Sequence, residues 1–250
     1  MRPQWIRQLF IFSLFFLSTV APADLPSIIE KIKPSIVAIG TYKKTNSPPF
    51  SFRGTGFVVG NGTRIATNAH VIQNAESEGT LIAILTKNSS GEAQVREARI
   101  LSKDSAHDLA VLSIEGPPMQ PLRLSDESSI REGDRIAFTG FPIGNALGFS
   151  PVTHQGMISA ITPIALPGNN TQQLNAKLIN QLKRGTFDIY QLDATAYPGN
   201  SGSPVYNPET GAVVGIINMV FIKGSKEAAL TNPSGITYAI PVRFLANLVK

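Results

Sequence analysis

The 250-residue chain contains no cysteine, so no disulfide can brace it and its stability must come from a buried core. Its single tryptophan, Trp5, falls in a segment expected to be removed. Charge is sparse as well. Asp, Glu, Lys and Arg make up 16% of the residues, the formal net charge is +5, and no stretch carries a run of Lys and Arg. So mild a balance calls for no nucleic-acid partner. No cluster of His, Asp and Glu has the spacing of metal ligands, and no cofactor is implied. After the N-terminal segment there is no second long apolar run, no extended helical period, no low-complexity tract and no internal repeat.

What is present begins with that N-terminal segment. Arg2 and Arg7 precede an almost wholly apolar stretch from Leu9 to Val20, and Ala21-Pro22-Ala23 places small residues where a signal peptidase reads. This is the layout of a cleaved secretory signal over residues 1–23, the run being short for a membrane span. An uncleaved anchor is the alternative. With Asp24 as the mature start, the charge falls to +3 and 227 residues remain, enough for one large all-β domain or two small ones. An exported chain without cysteine fits a bacterial periplasm or exterior, and no membrane association is expected once the signal is removed.

Short β-rich runs separated by Gly, Pro, Asn and Ser dominate the rest. The expected strands are 35–42, 54–60, 64–72, 81–87, 95–103 and 109–115, then 135–141, 151–161, 186–195, 202–207, 211–222 and 235–241. Many short strands with turn chemistry between them indicate an all-β sandwich or barrel. They divide into two sets at a Pro- and Ser-containing connector, Pro117 to Asp134. Helices are expected only at the ends, over 26–32 and 242–249, with a third within 174–183, where Leu174, Leu178 and Leu182 share one helical face.

The segment Tyr197-Pro198-Gly199-Asn200-Ser201-Gly202-Ser203-Pro204-Val205 carries the clearest chemistry. A serine hydroxyl becomes a useful nucleophile only with a base, an exposed position and donors for an oxyanion. Flanking glycines permit a tight turn that aims two amides, those of Gly199 and Ser201, at one point. An ordinary polar turn would read the same way. Of the three histidines, His70 sits at the end of an apolar strand, whereas His107 and His154 have polar loop residues on at least one side. Asp108 opens the apolar run Asp108-Leu109-Ala110-Val111-Leu112, where a carboxylate needs a hydrogen-bond partner. Each alone has a structural reading. Together, in the order His, Asp, Ser and split between the two strand sets, they match the chymotrypsin arrangement.

A family resemblance runs through the same residues. Gly54-Thr55-Gly56-Phe57-Val58-Val59, Thr67-Asn68-Ala69-His70-Val71, the Asp108 run, Gly140-Phe141-Pro142-Ile143-Gly144, Gly156-Met157-Ile158-Ser159-Ala160, Leu192-Asp193-Ala194, Pro198-Gly199-Asn200-Ser201-Gly202 and Thr237-Tyr238-Ala239-Ile240-Pro241 occur in order. The chain resembles the trypsin-like serine proteases of the HtrA/Deg group. That resemblance implies two packed six-stranded antiparallel β-barrels, chymotrypsin-like, with short terminal helices. It also implies an N-terminal barrel over 24–125 holding the His and Asp, and a C-terminal barrel over 126–250 holding the nucleophile, oxyanion hole and specificity pocket. The PDZ domains usual in the group are not carried over to a chain ending at Lys250. Ser203 stands where the group usually has Gly, and the run from Gly199 to Val205 is closer to the bacterial glutamyl endopeptidases. Their pocket histidine has Ile217 in its place here.

The same resemblance puts the pocket floor near Thr195 and its walls near Ile217 and Gly235. Asn218, Met219 and Val220 would present backbone to an extended substrate. None of these is charged, so a small or medium aliphatic residue before the scissile bond is expected. The expected function is an exported serine endopeptidase acting on unfolded or extended polypeptide through His70, Asp108 and Ser201. A peptide-binding or chaperone-like protein on the same fold, with weak or conditional cleavage controlled by the inserted loop 167–185, is the alternative.

Overall fold

The computed structural model describes residues 24–75, 80–87, 90–126, 130–144, 149–163, 187–218 and 235–249. The signal segment, the inserted loop with its expected helix, and Met219 and Val220 lie outside them.

A short helix α1 (Leu25–Ile32) opens the described chain. Asp24 caps it, accepting from the Ser27 N–H, and Pro26 occupies a first-turn position where a missing N–H is harmless. A single 3-10 turn, Lys33–Ser35, leads into the first strand. Twelve strands follow: β1 (Ile36–Tyr42), β2 (Phe50–Val59), β3 (Arg64–Asn68), β4 (Leu81–Lys87), β5 (Ala93–Asp104), β6 (Leu109–Ile114), β7 (Arg135–Gly140), β8 (Val152–Pro163), β9 (Asp188–Asp193), β10 (Pro204–Tyr206), β11 (Val213–Asn218) and β12 (Ile236–Pro241). Helix α2 (Val242–Ala246) is the last described element, shorter than the sequence pattern implied.

The strands form two closed antiparallel barrels of six. One has the order β1-β2-β3-β6-β5-β4 and the other β10-β11-β12-β9-β8-β7. Closure leaves neither barrel a free edge to recruit another chain. Side chains alternate between two faces along a strand, so strands such as β1 and β6 that lie between two cores are apolar on both. In β1, Val37 and Ile39 point into the N-terminal barrel, while Ile36 and Ala38 join a separate core. In β6, Ala110, Leu112 and Ile114 point inward and Leu109 and Val111 outward. That outward core also takes Ala137, Tyr206, Val213 and Ile216 from the second barrel, together with Ile28, Ile32, Val242 and Leu245 from the helices. It is the seam between the barrels. The C-terminal barrel has its own filling around Phe138, Ile158, Tyr190, Leu192 and Ile217. Each fully buried aliphatic side chain contributes about 1.5–3 kcal/mol, which is how a cysteine-free fold holds.

Two boundaries differ from the sequence reading in ways that matter for the site. β2 starts at Phe50 instead of residue 54, because Phe50, Ser51 and Phe52 pair with Tyr42, Thr41 and Gly40 beyond a bulge at Ile39/Gly40. β3 ends at Asn68, so His70 stands in a turn beyond the strand.

Candidate active site

The turn after β3 is built from short-range hydrogen bonds, with the N–H groups of Val71, Gln73 and Ala75 donating to the carbonyls of Asn68, His70 and Ile72. Val71, Ile72 and Ala75 anchor it in the core of the N-terminal barrel. His70 is left half-buried on a fixed support. Asp108 precedes β6 with φ of 53°, a left-handed conformation that aspartate tolerates better than most residues. Its carbonyl accepts from the Ala69 N–H at 3.0 Å and from Asn68 Nδ2 at 3.2 Å.

The Asp108 carboxylate then receives three donors. Oδ1 accepts from the His70 backbone N–H at 2.8 Å. Oδ2 lies 2.6 Å from His70 Nδ1 and 2.8 Å from Asn218 Nδ2. An ionised carboxylate only accepts, so the proton of a neutral His70 sits on Nδ1 and the Nε2 lone pair is left available as a base. Asn218 is the residue whose role the sequence does not disclose. Its position suggests a backbone contact to substrate, yet its side chain is fully buried and reaches from β11 of one barrel to Asp108 of the other.

Ser201 is 6% exposed and lies on a turn between the barrels. Gly199 and Gly202 have φ of +103° and +87°, and no side chain fits at either position. A Cβ on Gly199 would fall 2.3 Å from the Phe141 carbonyl oxygen, and one on Gly202 2.0 Å from that of Thr55. Four successive peptide planes are pinned. The Pro198 carbonyl accepts from Ile143 N at 2.7 Å, and the Gly199 carbonyl from Thr55 Oγ1 at 2.7 Å. The Asn200 carbonyl accepts from Ser203 N at 2.9 Å, and the Ser201 carbonyl from Thr55 N at 2.9 Å. In a trans peptide the next N–H points opposite to the carbonyl. The Asn200 and Gly202 amides accordingly donate to Tyr197 and Ile217 carbonyls. Those of Gly199 and Ser201 have no acceptor among the described residues. Two unpartnered amides on one turn are what an anion requires. Ile143 holds its N–H in place with φ of 57°, a strain of about 1–3 kcal/mol for a β-branched residue.

The turn and the His70 loop come together at Gly54, where a Cβ would meet both the Val71 side chain at 2.8 Å and the Ser201 carbonyl oxygen at 3.1 Å. No hydrogen bond joins the Ser201 hydroxyl to His70 among the described residues. Ser203 is equally constrained. Its hydroxyl lies 1.9 Å from where a Cβ on Gly140 would be, and both it and the buried Asn200 side chain lack hydrogen-bond partners among the described residues.

The remaining expected residues behave unevenly. Thr195 is half-buried near the end of β9. Ile217 is fully buried with Phe138, Ala194 and Ala196 in the filling of the C-terminal barrel. Gly235 accepts from Ala194 N at 3.0 Å. Thr237, not singled out from sequence, ties this region together: its hydroxyl donates to the Ala194 carbonyl at 2.7 Å and accepts from Ala196 N at 3.1 Å. His154, inside the expected strand 151–161, lies within β8 opposite Phe138, their rings stacked 4.9 Å apart. Burial pushes its imidazole below the ordinary 6.5. His107 is packed between Phe244 and Phe187.

Among the described residues no group of His, Asp and Glu could hold a metal ion, and no helix is long and apolar enough to cross a membrane. The profile of the trypsin-like peptidase domain matches residues 54–216. A "Probable periplasmic serine endoprotease DegP-like" of Halomonas elongata is 28% identical over 190 residues, covering 76% of this chain and 32% of the relative. The "Serine protease Do-like HtrA" of Lactococcus lactis is 27% identical, covering 91% of this chain and 56% of the relative. The chain thus spans about half or less of these relatives' lengths. Among solved structures, Deg5 superposes with a TM-score of 0.63 at 22% identity, covering 89% of this chain and 90% of that one. The HtrA-type protease AlgW with tripeptide does so with a TM-score of 0.62 at 24% identity, covering 91% and 64%. Two closed barrels, a serine turn between them and a profile match over more than half of the sequence lead to one assignment: this chain belongs to the trypsin-like peptidase domain family, among relatives of the HtrA and DegP type.

Proposed function

We propose that the protein is an exported serine endopeptidase in which Ser201 is the nucleophile, His70 the general base and acid, and Asp108 the group that orients His70. The observation that carries this reading is the Asp108 carboxylate, which holds His70 through both its backbone N–H and Nδ1. With that proton fixed on Nδ1, Nε2 takes the proton of the Ser201 hydroxyl as Oγ attacks the scissile carbonyl. The negative charge that develops on the carbonyl oxygen is met by the N–H groups of Gly199 and Ser201. His70 returns the proton to the leaving amine, and water repeats the cycle on the acyl-enzyme. The positive imidazolium that forms midway is balanced by Asp108, whose charge Asn218 helps to keep in place.

The barrel over 24–125 supplies His70 and Asp108, and the one over 126–250 supplies Ser201. Cleavage after Ala23 delivers the enzyme to a bacterial periplasm or exterior, in line with the periplasmic naming of its relatives. Its substrates are unfolded or extended polypeptides, cut after small or medium aliphatic residues. Incubation with denatured casein tests this directly. Wild type should degrade it, and Ser201→Ala, equally folded, should lose activity by roughly four to six orders of magnitude. A fluorophosphonate probe should label Ser201 alone. Equal turnover by the two proteins would overturn the assignment.

A further inference from the structure

We propose that Thr55 is the positioning residue through which the N-terminal barrel sets the oxyanion-binding geometry of the C-terminal barrel. This rests on the endopeptidase reading above. Thr55 lies in β2 between Gly54 and Gly56 and is fully buried. Its backbone N–H donates to the Ser201 carbonyl at 2.9 Å. Its hydroxyl donates to the Gly199 carbonyl at 2.7 Å and accepts from the Phe141 N–H at 3.0 Å. The directions are not interchangeable, because a carbonyl can only accept and an amide N–H can only donate. The result is a one-way chain from the Phe141 N–H through the Thr55 hydroxyl to the Gly199 carbonyl.

That chain bears on the oxyanion donors from both sides. The two carbonyls that Thr55 holds belong to the residues whose N–H groups would receive the oxyanion. Rotating either carbonyl would turn the neighbouring peptide planes with it. Phe141 begins the loop whose Ile143 N–H pins the Pro198 carbonyl, and with it the direction of the Gly199 N–H. One hydroxyl therefore fixes the plane after Gly199 directly and the plane before it through the loop. Thr55 is held in turn by the Thr67 hydroxyl, which donates to its carbonyl at 2.8 Å. No other side chain of the N-terminal barrel hydrogen-bonds to this turn among the described residues.

Thr55→Val keeps the shape and the backbone N–H and deletes only the hydroxyl. With a fluorogenic peptide taken from a casein cleavage site, kcat should fall about 10- to 100-fold, the scale of a small misplacement at a reacting centre, while KM stays within about threefold. Affinity for a peptide boronic acid, which mimics the tetrahedral oxyanion, should fall by the same factor. Binding of the uncut peptide to Thr55→Val/Ser201→Ala should match that to Ser201→Ala alone. Thr55→Ser should restore kcat to within about threefold, since the hydroxyl returns. If the valine variant does not fold, Thr55→Cys, a weaker donor, should give an intermediate kcat. A folded Thr55→Val with a lowered Tm but wild-type kcat and boronate affinity would overturn the proposal and leave the endopeptidase intact. Undiminished activity in Ser201→Ala would instead overturn the endopeptidase reading itself.

Discussion

Two His–Asp pairs lie side by side in this molecule, and by pair geometry alone they are twins. His70 Nδ1 lies 2.6 Å from Asp108 Oδ2, and His107 Nδ1 lies 2.5 Å from Asp104 Oδ2. Their side chains are similarly exposed, 26% and 22% in the first pair and 24% and 26% in the second. What separates them is everything around the pair. Asp104 and His107 are three residues apart, and the aspartate also accepts from the Ala106 and His107 N–H groups, so the pair closes a local turn. The His107 ring stacks on Phe244 of α2 at 3.9 Å and meets the edge of Phe187 at 4.6 Å. His70 and Asp108 are 38 residues apart, and the carboxylate takes a further donor, Asn218 Nδ2, from the other barrel. The left-handed backbone at Asp108 divides the two neighbours, sending His107 toward α2 and Asp108 toward His70.

The largest expected difference between the pairs is catalytic. Asp108→Asn should lower kcat by about 10⁴, because a neutral amide no longer fixes the Nδ1 proton, while Asp104→Asn should stay within about threefold. Parallel kcat measurements on titrated enzyme check this, and equal losses would break the distinction. Next in size is stability, with the order reversed. His107→Ala removes an aromatic stack that joins the barrel to α2 and should cost about 1–3 kcal/mol, against about 1 kcal/mol or less for His70→Ala, read from urea unfolding. The smallest effect concerns acid. Burial alone would raise the Asp104 carboxyl, but hydrogen bonds from His107 and Ala106 and the charge of His107 hold it below the ordinary 3.8. The unfolded chain therefore takes up this proton first. The contribution is intact above 3.8 and is lost as pH falls through the lower folded value. Asp104→Asn should accordingly show a flatter loss of unfolding midpoint between about pH 5 and about pH 2.5 than wild type.

Much of the architecture is legible in the amino-acid pattern, for a local reason. A run such as Leu109-Ala110-Val111-Leu112-Ser113-Ile114 is apolar on both faces, as a strand must be when one side fills a barrel and the other a seam. Boundaries are less legible where pairing, not composition, decides them. Pro48, Pro49 and Gly54 punctuate the start of β2, yet Phe50 and Phe52 belong to the sheet because β1 continues past its bulge to meet them. The polar residues Thr153 and Gln155 beside His154 are the other face of a strand, the one expected over 151–161.

The sequence by itself determined the twelve-strand, all-β character of the chain and the tight backbone of its serine turn. Gly199 and Gly202 are dictated by backbone angles that other residues resist, and an apolar strand end at Asp108 demands a partner for its carboxylate. Tertiary structure alone decided that Asp108 turns to His70 while its neighbour His107 turns to Phe244, that Asn218 turns its side chain to Asp108, and that Thr55 grips the carbonyls of Gly199 and Ser201. Those contacts join residues 110 and 144 positions apart. No local pattern records them, because they exist only once two closed barrels meet along a shared apolar seam and bring their loops to the same place.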